Sequence, residues 1–301
     1  MKGDGGAGQF QGVTPWLQTA WDMRAAGNFI GGGTGTGLLF LAAIAALAGG
    51  GSPLLVVVGL IAVAGGLFSV FLEIGRPFRS LNTFLGGRRS WMTREAYVAM
   101  ALFPLGLASL VWPAATPFLL LLVLPYIYCQ ARMLKEAKGI PAWREPAIIP
   151  LIMASALAEG AGLFALLTAI LGRRLPPWAL LLLLLALGLR AGVWLVYRRR
   201  LASGGAPTRV VPKLARFTPP FLFAGHAVPL FLLVVAAVLP SLLAPLAALA
   251  GVVVLLAGWA MKAFIITRIA LNQGFAIPVT PVRGKRRKGV DAAGTAPGWH
   301  Q

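Results

Sequence analysis

Metal-ligating side chains are almost missing from this 301-residue chain, which has one cysteine, Cys129, and two histidines, His226 and His300. A lone cysteine excludes an internal disulfide and any iron–sulfur cluster held by this chain alone, because such clusters take several thiolates. His226 falls in an apolar run and His300 in a polar tail, so the two do not combine as haem ligands inside one bundle. Charge is scarce as well. Only 12% of residues are charged and only eight are acidic, whereas soluble domains carry roughly 25% charge. With 58% hydrophobic residues and a mean hydropathy of +0.81, a soluble core could not hide the apolar surface. The composition therefore predicts an all-α integral membrane bundle.

Apolar runs divide the chain into eight transmembrane helices: about Asn28 to Leu47, Pro53 to Phe71, Glu95 to Val111, Pro117 to Met133, Ala147 to Leu171, Trp178 to Tyr197, Pro220 to Val238 and Leu243 to Ile266. Each is long enough, or nearly so, to cross the hydrocarbon layer. Residues 1–26 form a polar, glycine-rich segment with no cleavable signal. The membrane domain spans 27–268. A basic tail, 269–301, has the composition of a disordered segment. The last two spans form a hairpin, and the loop running to Pro219 reads as polar and basic.

The net charge of +19 would suggest nucleic acid in a soluble protein, but its distribution explains it without one. An even number of spans puts both termini and the even-numbered loops on one side. Of 27 basic residues, only Arg173 and Arg174 fall on the other side, with Arg190 and Lys262 inside spans. Basic residues collect on the cytoplasmic face, so the termini and the loop between spans two and three are expected in the cytoplasm.

That loop, within FLEIGRPFRSLNTFLGGRRSWMTREAY (residues 71–97), is where the chain turns from lipid-like to chemical. It places Glu73 at the end of one span, Glu95 at the start of the next, and Arg76, Arg79, Arg88, Arg89 and Arg94 around them. A carboxylate at membrane depth costs about 2.5–3.5 kcal/mol on insertion scales, which makes it a functional candidate. The alternative is a basic loop that only fixes orientation. Tyr126, Tyr128 and Gln130 add polar atoms near the same membrane face, where tyrosines also serve as interfacial belts. Asn28 reads either as a helix N-cap or as a ligand-binding amide.

The GGGTGTG run, Gly31 to Gly37, opens an apolar helix and follows no strand, so close helix packing through Gly33 and Gly37 explains it better than a nucleotide loop does. Glu159, Arg190 and Lys262 lie within spans and are expected to face the bundle interior. Glu159 with Arg190 on the next span is the cheapest pairing. Arg190 and Lys262 also sit where they can snorkel. An ion pair fixing helix packing and a proton path both remain open for these three.

EIGRPFRSLN followed by RRSWMTREAY resembles the signature of the membrane anchor subunits of dimethyl sulfoxide reductase and polysulfide reductase. In that family a His-Leu-Gly-x-Pro-x-Arg-Ala-x-Asn element precedes a Ser-x-Glu element. Span number, length and the glycine-rich first span agree, so the resemblance covers nearly the whole chain. It implies an eight-helix subunit that carries no haem and no iron–sulfur cluster, binds a quinone (menaquinone or ubiquinone), and docks a four-cluster iron–sulfur subunit wired to a molybdenum or tungsten bis-pterin catalytic subunit. The family arginine falls on Arg79 and its glutamate on Glu95, and the family histidine falls on Glu73. A carboxylate there still exchanges protons but cannot donate as a neutral imidazole. Asn28, Arg76 and Tyr128 complete the candidate quinone-binding set, with Glu73, Arg79 and Glu95 carrying the chemistry.

The run YCQARMLKEAKGIPAWREP is similar to the membrane subunit of phenylacetyl-CoA:acceptor oxidoreductase, which implies a cytoplasmic acyl-CoA as the catalytic partner's substrate. The expected location is a bacterial or archaeal cytoplasmic membrane. Two other classes stay open: a secondary transporter, which would also bury Glu, Arg and Lys, and a pure anchor without a quinone site.

Overall fold

The computed structural model describes residues 11–13, 15–73, 82–85, 90–204, 206–273 and 275–277. Within them the chain is an α-helical bundle with eight helices long and apolar enough to cross a membrane. Helix α1 is Met23–Leu47 and α2 is Pro53–Glu73; a short α3, Asn82–Leu85, precedes α4, Trp91–Val111. A 3₁₀ segment, Pro113–Leu119, leads into α5, Leu120–Glu136, and a short α6, Pro141–Arg144, into α7, Ile148–Ile170. Then come α8, Pro177–Ser203; α9, Val210–Leu222; α10, Val228–Val238; and α11, Leu243–Thr267. Helices are the only open-ended way to satisfy every backbone amide inside lipid.

Most spans are longer than the apolar runs alone suggest; the fifth, Ile148–Ile170, is one residue shorter at each end. Asp22 caps α1 by accepting from the Arg24 amide at 2.7 Å, so Asn28 lies one turn inside the helix and is not its cap. The segment 210–219, read from sequence as loop, is helical and forms the first half of span seven. Pro219 and Pro220 lie inside that span, and a π-helical turn, Phe223–Ala227, follows Leu222. Of the basic tail, residues 274 and 278–301 lie outside the described residues. Strand β1, Gln11–Val13, pairs antiparallel with β2, Phe275–Ile277, and Leu17 bridges to Leu271. This ribbon places residues 11–13 and 275–277, which flank the eight spans, at one end of the bundle, as an even span count requires.

Two helices form the centre: the most apolar windows of α1 and α7 are 67% and 72% buried, against 28–50% for the other spans. The small residues of α1 allow this. A Cβ on Gly35 would meet the Gly59 carbonyl and Val63 of α2, and one on Gly37 would meet the Ala156 carbonyl of α7. Where lipid offers no hydrophobic drive between helices, such close backbone approach supplies the packing energy. The packing reading of GGGTGTG holds.

Glu159 does not pair with Arg190. Its Oε2 lies 2.8 Å from Lys262 Nζ, and both side chains are fully buried. Thr34 Oγ1 and Ser155 Oγ donate to the same carboxylate at 2.7 and 2.8 Å. The ammonium also donates to the Phe29 carbonyl at 2.7 Å. Neither cation snorkels: Arg190, also fully buried, turns toward α9–α11. Its Nε donates to His226 Nε2 (3.2 Å), and its terminal nitrogens donate to the carbonyls of Val254 (3.1 Å) and Gly225 (2.9 Å). The α-helical partner of the Gly225 carbonyl would be the amide of residue 229, and Pro229 has none. His226 Nδ1 faces the Phe221 carbonyl at 3.2 Å. With a carbonyl on one nitrogen and a guanidinium donor on the other, the ring is neutral and protonated at Nδ1.

Candidate functional site

A cavity of about 580 Å³ opens between α1, α2 and α4, at the bundle end where α2 finishes and α4 begins. Its walls are apolar and aromatic: Trp21 and Phe29 from the α1 side, Phe68 and Phe71 from α2, Phe84 from α3, and Phe103 from α4. Three polar side chains with ionisable or amide groups reach it, Asn28, Glu73 and Glu95. Phe68, Phe71, Met92 and Met100 line the cavity and are also exposed on the outer surface of the bundle. The cavity therefore opens sideways, toward the lipid-facing surface.

Local sequence builds the mouth. Ser90 caps α4 through the Thr93 amide at 3.4 Å. Thr93 and Tyr97, one turn apart, donate their hydroxyls to the carbonyls of Thr83 and Phe84, each at 2.7 Å. These bonds hold α3 against α4. Opposite, Arg24 donates to the Leu72 carbonyl at 3.0 Å and ties the start of α1 to the end of α2. Arg24 also bonds Asp22, and that contact holds the exposed Asp22 carboxyl below the usual carboxylate range.

Glu95 stands at the inner wall, buried. Asn28 Nδ2 approaches its Oε1 at 3.4 Å, a long hydrogen bond. Tyr126 and Gln130 of α5 stand behind it, against the same carboxyl. The Gln130 amide donates to the Asn28 carbonyl at 2.9 Å. Asn28 Oδ1, Gln130 Oε1 and the Tyr126 hydroxyl, all buried, close no hydrogen bond of good geometry among the described residues. Such groups are costly unless something satisfies them. Gly32 leaves room for the Gln130 side chain, because a Cβ there would meet its amide. The arrangement combines an acid, an amide donor and spare acceptors at the edge of an apolar chamber. Chemically, it can hold a planar apolar ring by its carbonyl oxygens and exchange protons with it.

Of the residues expected from sequence, the structure brings Asn28, Glu73 and Glu95 to one cavity. Arg76 and Arg79, with Arg88 and Arg89, lie outside the described residues. Tyr128 does not line the cavity. Its ring meets Trp91 edge-on at 5.6 Å, and its hydroxyl accepts from Arg132 at 3.2 Å. Tyr126 takes the position beside Glu95. Spacing carries this signal, because Tyr126 and Gln130 are four apart and share a helix face, while Tyr128 and Arg132 share another.

Among the described residues no group of three or more His, Cys, Asp or Glu side chains has the geometry of a metal site. No family model matches the chain, and no curated protein matches it.

Proposed function

We infer that this chain is the quinone-reactive membrane subunit of an oxidoreductase complex in a bacterial or archaeal cytoplasmic membrane. The observation that carries the reading is the buried Glu95–Asn28 pair at the inner wall of an aromatic cavity that opens on the lipid-facing surface. A volume of about 580 Å³ lies within the range of roughly 300–1,000 Å³ usual for cofactor sites, and it admits a quinone ring with the first part of its tail. The unpaired Asn28 oxygen is the kind of group that such a ligand satisfies.

When bound, the quinone accepts two electrons and two protons. Asn28 orients the ring through its amide. Glu95 holds a proton at the inner carbonyl, with Tyr126 and Gln130 packed behind the carboxyl. Glu73, half-buried at the rim, connects the cavity to water, and the phenylalanine walls keep water from the ring. Arg79 enters through the resemblance alone, as the donor to a developing oxyanion. The electrons come from outside the chain, from a four-cluster iron–sulfur subunit linked to a molybdenum or tungsten bis-pterin subunit. A cytoplasmic acyl-CoA such as phenylacetyl-CoA is the corresponding substrate class.

The test is turnover of a soluble quinone analogue by the purified complex, beside turnover of an artificial dye that accepts from the partner subunits. Glu95→Gln and Arg79→Ala should slow the first about ten- to a hundredfold, the effect of one charge-assisted hydrogen bond, and leave the second unchanged. Glu73→His should retain part of the activity with a shifted pH optimum, because imidazole and carboxyl titrate about two pH units apart. Wild-type rates in all three variants would move the quinone site elsewhere.

A further inference from the structure

A second recess, about 520 Å³, lies at the same end of the bundle as the β1–β2 ribbon, between the ends of α5 and α8 and the start of α7. Five cations line it, Arg132, Lys135, Lys138, Arg144 and Arg200, against two carboxylates, Glu136 and Glu145. Both carboxylates are already committed to arginines: Glu136 to Arg132 at 2.7 Å and Glu145 to Arg200 at 3.5 Å. Glu145 Oε1 also accepts from the Ala147 amide at the start of α7. Neither Lys135 nor Lys138 forms an ion pair among the described residues. Among the described residues Arg144 donates to neutral oxygens alone, the Lys138 carbonyl and Gln273 Oε1. The recess thus holds an excess of positive charge that the described residues do not neutralise.

The surface beside it is shaped for a hydrocarbon chain. Leu185, Leu189, Gly192, Val196 and Arg200 recur every three or four residues, so they form one stripe along α8. Leu185, Leu189 and Val196 are exposed. A Cβ on Gly192 would touch nothing within 4 Å, so the stripe has a shallow gap in the middle. It runs along the lipid-facing side and ends at Arg200, in the recess.

We propose that this recess binds the phosphate headgroup of an anionic phospholipid, with one acyl chain lying along the α8 stripe. Lys135, Lys138 and Arg144 hold the phosphate oxygens, and Arg200 marks the point where headgroup meets chain. The site is separate from the aromatic cavity and does not depend on the quinone reading. Positive charge at the cytoplasmic ends of spans fixes orientation wherever it stands. Topology alone does not require a recess with its carboxylates internally matched and a lipid-facing stripe leading into it.

The experiment uses the full-length protein and measures retention of phosphatidylglycerol against phosphatidylcholine by native mass spectrometry, with thermal unfolding in lipid–detergent micelles alongside. Wild-type protein should retain and be stabilised by phosphatidylglycerol but not phosphatidylcholine. The variant Lys135→Gln/Lys138→Gln/Arg144→Gln should bind it on the order of a hundredfold more weakly, about fivefold for each charge removed near the membrane surface. If loss of Arg144 prevents folding, Lys135→Gln/Lys138→Gln should still weaken binding about 25-fold on the same scale. The control Arg199→Gln/Arg209→Gln/Arg216→Gln removes equal charge from exposed positions on the same side and should bind like wild type. Equal loss in the control, or none in the recess variants, overturns the proposal. So does inorganic phosphate that stabilises the lipid-free protein as fully as phosphatidylglycerol does, which would assign the recess to a soluble phosphate compound.

Discussion

Lys262 Nζ lies 2.8 Å from Glu159 Oε2 and 2.7 Å from the Phe29 carbonyl oxygen. The ammonium that neutralises the buried carboxylate also pins the turn of α1 that carries Asn28. The centre of the bundle and the wall of the aromatic cavity are therefore joined through one side chain. Room for it comes from two glycines: a Cβ on Gly33 would strike Lys262 Nζ, and one on Gly258 would strike Glu159.

Breaking this pair on one side should be far worse than removing both charges. Lys262→Met leaves a buried carboxylate uncompensated, and such changes cost about 3–5 kcal/mol. Glu159→Gln/Lys262→Met should cost less than the sum of the single variants by about 1–3 kcal/mol. Denaturation of the purified protein in detergent measures this. Additive costs would mean that the two groups do not support one another.

The glycines of α1 should separate from those on the lipid face. Gly37→Ala forces a methyl against the Ala156 carbonyl and Gly160, which are backbone atoms unable to rotate away, and should cost about 1–3 kcal/mol. Gly192→Ala meets open space and should be neutral, or stabilising by up to about 1 kcal/mol through helix propensity. Equal unfolding temperatures for the two variants would contradict the packing assigned to α1.

The two tyrosines of α5 should behave differently. Tyr126→Phe removes a buried hydroxyl beside Glu95 that is unsatisfied among the described residues and left for a bound ring to engage, and should slow quinone-analogue turnover about three- to tenfold, the range of one neutral hydrogen bond. Tyr128→Phe removes only the contact with Arg132 and should leave turnover within twofold, roughly the effect expected of a half-exposed contact. Parallel loss in both variants would show that helix face does not decide their roles.

Orientation is open to chemical labelling, because Cys129, the chain's one cysteine, is buried and an introduced thiol is read against low background. Arg174→Cys should react with a membrane-impermeant maleimide in intact cells. His300→Cys should react only after the membrane is opened. The reverse pattern would place the termini outside and the aromatic cavity at the outer face.

The sequence alone determined the membrane class, the eight spans and the shared side of the termini. A chain this apolar must bury its backbone polar groups in helices, and charge asymmetry is a property of composition along the chain. It also singled out Asn28, Glu73 and Glu95, because polar groups among apolar runs are visible without coordinates. Helix neighbours were not visible. Glu159 and Arg190 sit on consecutive spans and looked like partners, yet α11 packs against α7 and brings Lys262 to Glu159. Arg190 instead meets His226 and the Gly225 carbonyl, whose α-helical partner position is occupied by Pro229, which has no amide. Residues 210–219 read as loop because they are basic and proline-containing, while tertiary packing buries Val210, Leu214 and Thr218 and makes them a helix. Which side chains share a cavity depends on how helices rotate about their axes, and only packing against several neighbours at once decides that.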